Sequence, residues 1–178
     1  MHYFLKLFPL SNFYFYIFLH YTYEQSIFIL NLKLMVIHFR VVYMSFYGCN
    51  DIPLGCFLER YCFRTSYVCQ SKTCDTPMLK HIRRFVHNSG CISLSLKTFE
   101  NESSEESIFM WNWCSKCQSC SPAVPMSDDT WSFSFAKYLQ LRFHGSIYTR
   151  RGEPSCNHSL HHDNHQYFGY RNIVVSFK

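Results

Sequence analysis

The feature that most constrains this chain is a knuckle of two thiols, Cys114-Ser-Lys-Cys117, answered well downstream by Cys156-Asn-His158. A two-residue gap lets both thiolates reach one ion, and the later thiol and imidazole complete a four-ligand set suited to zinc. Three further imidazoles, His161, His162 and His165, follow closely and are alternates for the fourth ligand. The stretch from Trp113 to His165 holds all of these donors. Between them runs the apolar segment Trp131–Phe143, dense enough in aromatic and aliphatic side chains to fold back over a metal.

A second donor group precedes this one. Cys62, Cys69, Cys74 and Cys91 form a possible second site, with His81 or His87 nearby. No tight pair occurs among them, so spacing alone does not define the set. Cys56 and Cys120 read as surplus, each a small buried hydrophobe. His2, His20, His38 and His144 have no assigned role, because a lone histidine is more often hydrogen-bonded than ligating.

The chain contains ten cysteines and ten histidines in 178 residues. With a Cys-x-x-Cys knuckle and no convincing secretory signal, this usage points to reduced, metal-bound thiols in the cytoplasm rather than to a disulfide scaffold. The net charge of +5 is modest and spread out, which argues against nucleic acid as a partner. The gap from knuckle to closing pair is also too long for a two-Cys, two-His finger. A hydrolytic zinc centre needs an open position and a general base. Asp163 is available, but no His-Glu-x-x-His helix supports it. No nucleotide loop or nucleophile–base pair is present, so the residues themselves name no catalytic group.

Composition changes near Gly48. Residues 1–47 are almost wholly aromatic and aliphatic, yet His20, Glu24, Gln25, Lys33, His38 and Arg40 interrupt every window long enough to span a bilayer. This leader reads as a translation of A/T-rich non-coding sequence, or else as a membrane-associated hairpin with a break at Glu24-Gln25. Residues 48–178 read as the folded unit. Pro53 and Gly55 mark a turn into a short helix or strand. Thr76-Pro77 reads as a helix start, and Met78, Leu79, Ile82, Phe85 and Val86 fall on one helical face, predicting a helix over 78–86 that Gly90 ends. Its other face, with Lys80, Arg83, Arg84 and His87, reads as solvated rather than as a lipid-headgroup surface.

The alternation in Cys91–Lys97 predicts a strand with Ile92, Leu94 and Leu96 inward, and Glu100–Ser107 a solvated loop. Ile108–Trp113 is the returning strand that delivers the knuckle. Ser127–Thr130 supplies N-cap candidates for a largely buried helix over Trp131–Phe143, stopped at Gly145. Ser146–Arg150 and Tyr167–Phe177 read as strands, the last scarcely formed before Lys178, which suggests a truncated module. The expected fold is thus α+β: a small zinc-stabilised cysteine/histidine-rich module with short antiparallel strands and two helices.

Several collinear motifs resemble one family. Cys49-Asn-Asp-Ile-Pro-Leu-Gly55, Phe57-Leu-Glu-Arg-Tyr-Cys-Phe-Arg64, Cys74-Asp-Thr-Pro-Met78, His81-Ile-Arg-Arg-Phe-Val-His87, Trp131–Leu139, Tyr148–Arg151 and His161–Phe168 are similar to the cysteine-rich region of the PIKfyve family. These are the FYVE-finger kinases that convert phosphatidylinositol 3-phosphate to phosphatidylinositol 3,5-bisphosphate on endosomes. The resemblance covers about residues 48–178 and leaves the leader unmatched. Cys56, Cys120 and the 100–107 loop depart from the family pattern.

The resemblance implies a fragment of a lipid kinase lying between a chaperonin-like domain and a kinase domain, at the periphery of the endosomal membrane. ATP and Mg2+ would belong to the kinase domain, which this chain lacks, and catalysis by the chain alone is expected to be absent. The rival reading is a stand-alone, membrane-associated zinc-binding adaptor.

Overall fold

The protein is described from a computed structural model. It describes residues 12–21 and 38–178, apart from 70, 72, 73, 75, 102, 103, 151, 153 and 154. The proposed leader break at Glu24-Gln25 lies outside these residues. Eleven strands are present among them: β1 Asn12–Tyr21, β2 His38–Ser45, β3 His81–His87, β4 Gly90–Thr98, β5 Phe109–Cys114, β6 Ser119–Cys120, β7 Val124–Pro125, β8 Thr149–Arg150, β9 Cys156–Ser159, β10 Asn164–Tyr170 and β11 Ile173–Phe177. Nine of them build one sheet in the order β2-β1-β3-β4-β11-β10-β5-β6, with β7 also on β5. Every pairing is antiparallel. β8 and β9 form a separate ribbon.

A short helical layer covers one face of the sheet. α1 Leu54–Leu58 runs on into a wide π-type turn over Glu59–Phe63. α2 Asp128–Trp131 is a single turn, and α3 Phe135–His144 is the longest helix. Ser127 caps α2 and Ser134 caps α3, each side chain accepting an N–H three residues on. The helices bury Leu54, Phe57, Leu58, Phe135, Tyr138 and Leu139 against Phe85, Ile92, Leu94, Phe168, Val175 and Phe177 from the strands. Phe57 and Phe135 stack with ring centroids 3.7 Å apart, locking α1 to α3 over β3. Leu58, Leu94 and Leu139 are fully enclosed, each worth roughly 1.5–3 kcal/mol of burial.

The strand expected over 91–97 forms as β4, with Ile92 and Leu94 buried and Leu96 packed against the core. The helix expected over 78–86 does not form. Met78–Lys80 makes one 3-10 turn and His81–His87 is β3. Its inward face is His81, Arg83 and Phe85, a period of two that polar residues disguise. Pairing with β1 on one side and β4 on the other outweighs a local pattern that fits a helix equally well. The basic helical face predicted there therefore does not exist: Arg83 is buried, and Arg84 lies on the opposite side of the strand.

The last expected strand, Ile173–Phe177, forms as β11 and is the second arm of a hairpin. Asn164–Tyr170 and Ile173–Phe177 are joined by Arg171-Asn172, where Arg171 takes φ 52°. β11 lies between β4 and β10, inside the sheet. The strands β1 and β2 fall in the segment that composition sets apart as a leader, and here they extend the sheet beyond β3. No helix among the described residues is long and apolar enough to cross a membrane.

Candidate metal centre

β5 ends at Cys114, and the chain reverses at once so that β6 pairs back on it, Cys114 opposite Ser119. The reversal needs one residue in the left-handed region, taken by Gln118 at φ 53°, and is closed by the Gln118 N–H donating to the Cys114 carbonyl at 2.8 Å. This knuckle aims both thiols to one side. The Cys117 N–H donates to Cys114 Sγ at 3.3 Å. On its other flank, β9 brings Cys156 and His158 to the same point, two residues apart along a strand and therefore on one face.

The four donor atoms lie within 4.8 Å of one another. Cys156 Sγ is 3.5 Å from Cys114 Sγ and 3.7 Å from Cys117 Sγ. His158 Nδ1 is 3.6, 3.1 and 3.4 Å from the sulfurs of Cys114, Cys117 and Cys156. A tetrahedral zinc ion with ordinary bond lengths sets sulfur–sulfur edges of about 3.8 Å and sulfur–nitrogen edges of about 3.5 Å. A disulfide would need about 2.05 Å. The observed edges match the first geometry and exclude the second. Cys114 and Cys156 are buried, His158 is half-buried and Cys117 is exposed.

The electrostatics separate the two thiols of the knuckle. Burial pushes the Cys114 thiol up, but N–H donors from Cys117 and Lys116 and the neighbouring thiols outweigh it, bringing Cys114 down to about 7. Cys117, sharing a proton with Cys156 and crowded by Cys114, goes the other way, to about 11.

Polar bonds from the adjoining turn hold the cluster together. Ser115 donates from both its N–H and its hydroxyl to the Asp163 carbonyl, at 2.9 and 2.8 Å. The Asp163 carboxylate accepts from the Ser159 N–H at 3.0 Å, so it serves this turn and is not poised as a general base. Fully buried Asn164 donates to the Ser159 carbonyl at 3.0 Å. Ser115 and Asn164 went unrecognised in the sequence, where only the donors themselves stood out.

The alternates point elsewhere. His161 packs edge-on to Tyr148, His162 bonds the Phe143 carbonyl at 3.3 Å, and His165 lies beside the Trp113 ring. All three line a separate cleft of about 470 Å³. Burial, with Arg142 and His162 close by, depresses His161 to about 4, and burial likewise lowers His165.

Of the second predicted set, Cys69 and Cys74 come together and are joined by His81. Cys62 instead accepts from the Arg83 guanidinium at 3.2 Å, and Cys91 is exposed on β4. His87 packs against Phe143 and His144. Of the surplus thiols, Cys56 is partly buried and Cys120 is exposed, so neither is the enclosed hydrophobe expected of it.

Arg142 is the largest feature missed in the sequence. From α3 it donates to the carbonyls of Leu160 (3.3 Å), Asn164 (2.9 Å) and Phe177 (3.2 Å), tying the helix to the turn beside the centre and to β11.

Neither a protein-family model nor a solved structure matches the chain. Curated relatives do. The 1-phosphatidylinositol 3-phosphate 5-kinase of Homo sapiens is 54% identical over 141 residues, 77% of this chain and 7% of that protein. The corresponding kinase of Saccharomyces cerevisiae is 31% identical over 138 residues, 76% of this chain and 6% of its own length. An Arabidopsis thaliana kinase of the same name is 35% identical over 145 residues, 76% of this chain and 8% of its own. The chain thus spans less than a tenth of the length of these relatives.

Proposed function

Because the chain is homologous to a short segment of the 1-phosphatidylinositol 3-phosphate 5-kinases, we propose that it is the zinc-stabilised, non-catalytic scaffold region of such a kinase. The observation that carries this reading is the convergence of Cys114, Cys117, Cys156 and His158 at tetrahedral edge lengths. Four protein donors leave no open coordination position, which is the mark of a structural rather than a hydrolytic site. A bound zinc ion would supply charge neutralisation for the thiolates and folding free energy on the order of 10 kcal/mol. The chain's own residues do the rest: β5 and β9 present the donors, and Ser115, Asp163 and Asn164 fix the turn between β9 and β10.

In the parent, phosphoryl transfer with ATP and Mg2+ belongs to a kinase domain. This module would sit against that domain and a chaperonin-like neighbour, at the endosomal surface where the lipid substrate lies. Zinc content of the chain purified under reducing conditions, with and without Cys114→Ala, tests the reading. Bound zinc that the substitution reduces is the expected result. A folded protein free of metal refutes the metal half of the proposal. Lipid phosphorylation by the isolated chain refutes the non-catalytic half.

A further inference from the structure

After the π-type turn, Tyr67 and Val68 come to lie beside Pro77 and Met78, just ahead of β3. They are pinned by the Met78 N–H, which donates to the Tyr67 carbonyl at 3.1 Å, and by a β-bridge between Val68 and Pro77. Between those pins Cys69 and Cys74 turn toward His81, the first residue of β3. The two sulfurs and the imidazole nitrogen lie within 4.8 Å of one another. Cys74 Sγ is 3.4 Å from His81 Nε2, close to the sulfur–nitrogen edge of about 3.5 Å around tetrahedral zinc.

His81 is oriented for this. Its Nδ1 lies 3.0 Å from the Pro77 carbonyl, which can only accept. The proton therefore sits on Nδ1, and the lone pair of Nε2 faces Cys74. Metal-ligating histidines are characteristically fixed by such a hydrogen bond on the far nitrogen. His81 and Cys69 are buried and Cys74 is half-buried, so the set is enclosed and not a chance surface grouping.

We infer that Cys69, Cys74 and His81 form a second binding site for a zinc-class divalent ion, with the fourth coordination position open among the described residues. Two thiols and a neutral imidazole favour a borderline-soft ion over magnesium or calcium. Binding releases two protons to solvent, one from each thiol, and leaves the imidazole neutral, so the site as a whole carries no net charge. Its place in the fold is distinct from the first centre: β4, β11 and β10 lie between β3 and β5. Its role is to tie Cys69 and Cys74 to His81 at the start of β3.

The test is zinc per chain on the full-length protein, comparing the unmodified chain, Cys69→Ser/Cys74→Ser, Cys114→Ala and the triple combination. The expected contents are two ions, one, one and none. Zinc unaffected by Cys69→Ser/Cys74→Ser overturns the second site. Loss of all zinc on Cys114→Ala alone overturns it too. Zinc that Cys69→Ser/Cys74→Ser removes but Cys114→Ala leaves in place supports the second site while refuting the first. Should Cys69→Ser/Cys74→Ser fail to fold, cobalt titration of the metal-free, unmodified chain decides. Thiolate-to-cobalt charge-transfer absorbance that saturates at two equivalents supports the inference, and saturation at one overturns it.

Discussion

Alanine in place of Gly55 offers a sharp test of how the helical layer is packed, because two opposed effects of known size meet there. Gly55 lies inside α1 with ordinary helical backbone, so on local grounds alanine is the better residue, by about 1 kcal/mol. The structure reverses the sign. A methyl group at Gly55 would meet Cδ1, Cγ and Nε1 of Trp131, far inside the ~3.5–4.0 Å of ordinary carbon contact. Relief requires the indole to withdraw by on the order of 1–2 Å, which overpacks its surroundings at about 1–3 kcal/mol.

That movement also breaks the bond from Trp131 Nε1 to the Glu59 carboxylate, 2.8 Å long, worth about 1 kcal/mol at this exposed site. The expected net is a loss of about 2 kcal/mol, read as a urea midpoint lower by about 1 M. The same substitution in a Trp131→Ala background should instead stabilise, by up to about 1 kcal/mol, since only the helical gain remains. Equal destabilisation in both backgrounds would refute the reasoning.

Three further outcomes are expected. Arg142→Met leaves three carbonyls, two of them in buried bonds, without their charged donor, offset in part by no longer burying a cation, and should cost about 3 kcal/mol in denaturant unfolding; a neutral result would mean that those bonds are replaced by water. His161 is held to about 4 in the folded chain, below its ordinary 6.5, so the unfolded chain binds more protons between those values; stability should be full above about pH 6.5 and fall as the pH drops toward 4. His161→Gln should flatten that decline relative to the unmodified chain, and an unchanged slope would assign it to other groups. Ser134→Ala removes the buried cap of α3 and a partner of the Asp51 carboxylate, for a loss of about 1–2 kcal/mol, whereas Ser127→Ala on one-turn α2 should cost less than half as much; equal losses would deny the special role of the buried cap.

The first donor set was legible in the sequence because its chemistry is local. Cys114 and Cys117 share one turn, Cys156 and His158 share one strand face, and the apolar run Ile108–Trp113 identifies the strand that carries the first pair. β4 was legible for a similar reason, since Ile92, Leu94 and Leu96 alternate with polar residues. β3 was not. Its inward residues include His81 and Arg83, while Ile82 and Val86 lie on the other side, so the hydrophobic pattern carries no period of two. The polar inward residues have partners contributed from far away or from the segment just ahead of β3: Cys62 for Arg83, Cys74 for His81. Cys69, Cys74 and His81 were all in view as candidates, but with His81 read as helical nothing separated them from Cys62, Cys91 and His87. The hairpin turn at Arg171 was hidden because a non-glycine residue takes the left-handed position.

The two ends of the sheet are built from different materials, and this explains why metal ligands gather where they do. Over β3, β4, β11 and β10 the core is aromatic and aliphatic, closed by α1 and α3. At the β5–β6 edge the last strand, β6, shortens to two residues. There the buried groups are Cys114, Cys156 and Asn164, side chains that stabilise little by leaving water. Asn164 even keeps a buried oxygen without a hydrogen-bond partner. Three thiols and an imidazole crowded to within 4.8 Å would repel or lose their charge unless a cation lay between them. The proposed ion converts that liability into the strongest tie at this edge, where the buried groups are mostly not hydrophobic. Arg142 then couples the two regimes, reaching from the helical layer to the carbonyls of Leu160 and Asn164 beside the centre.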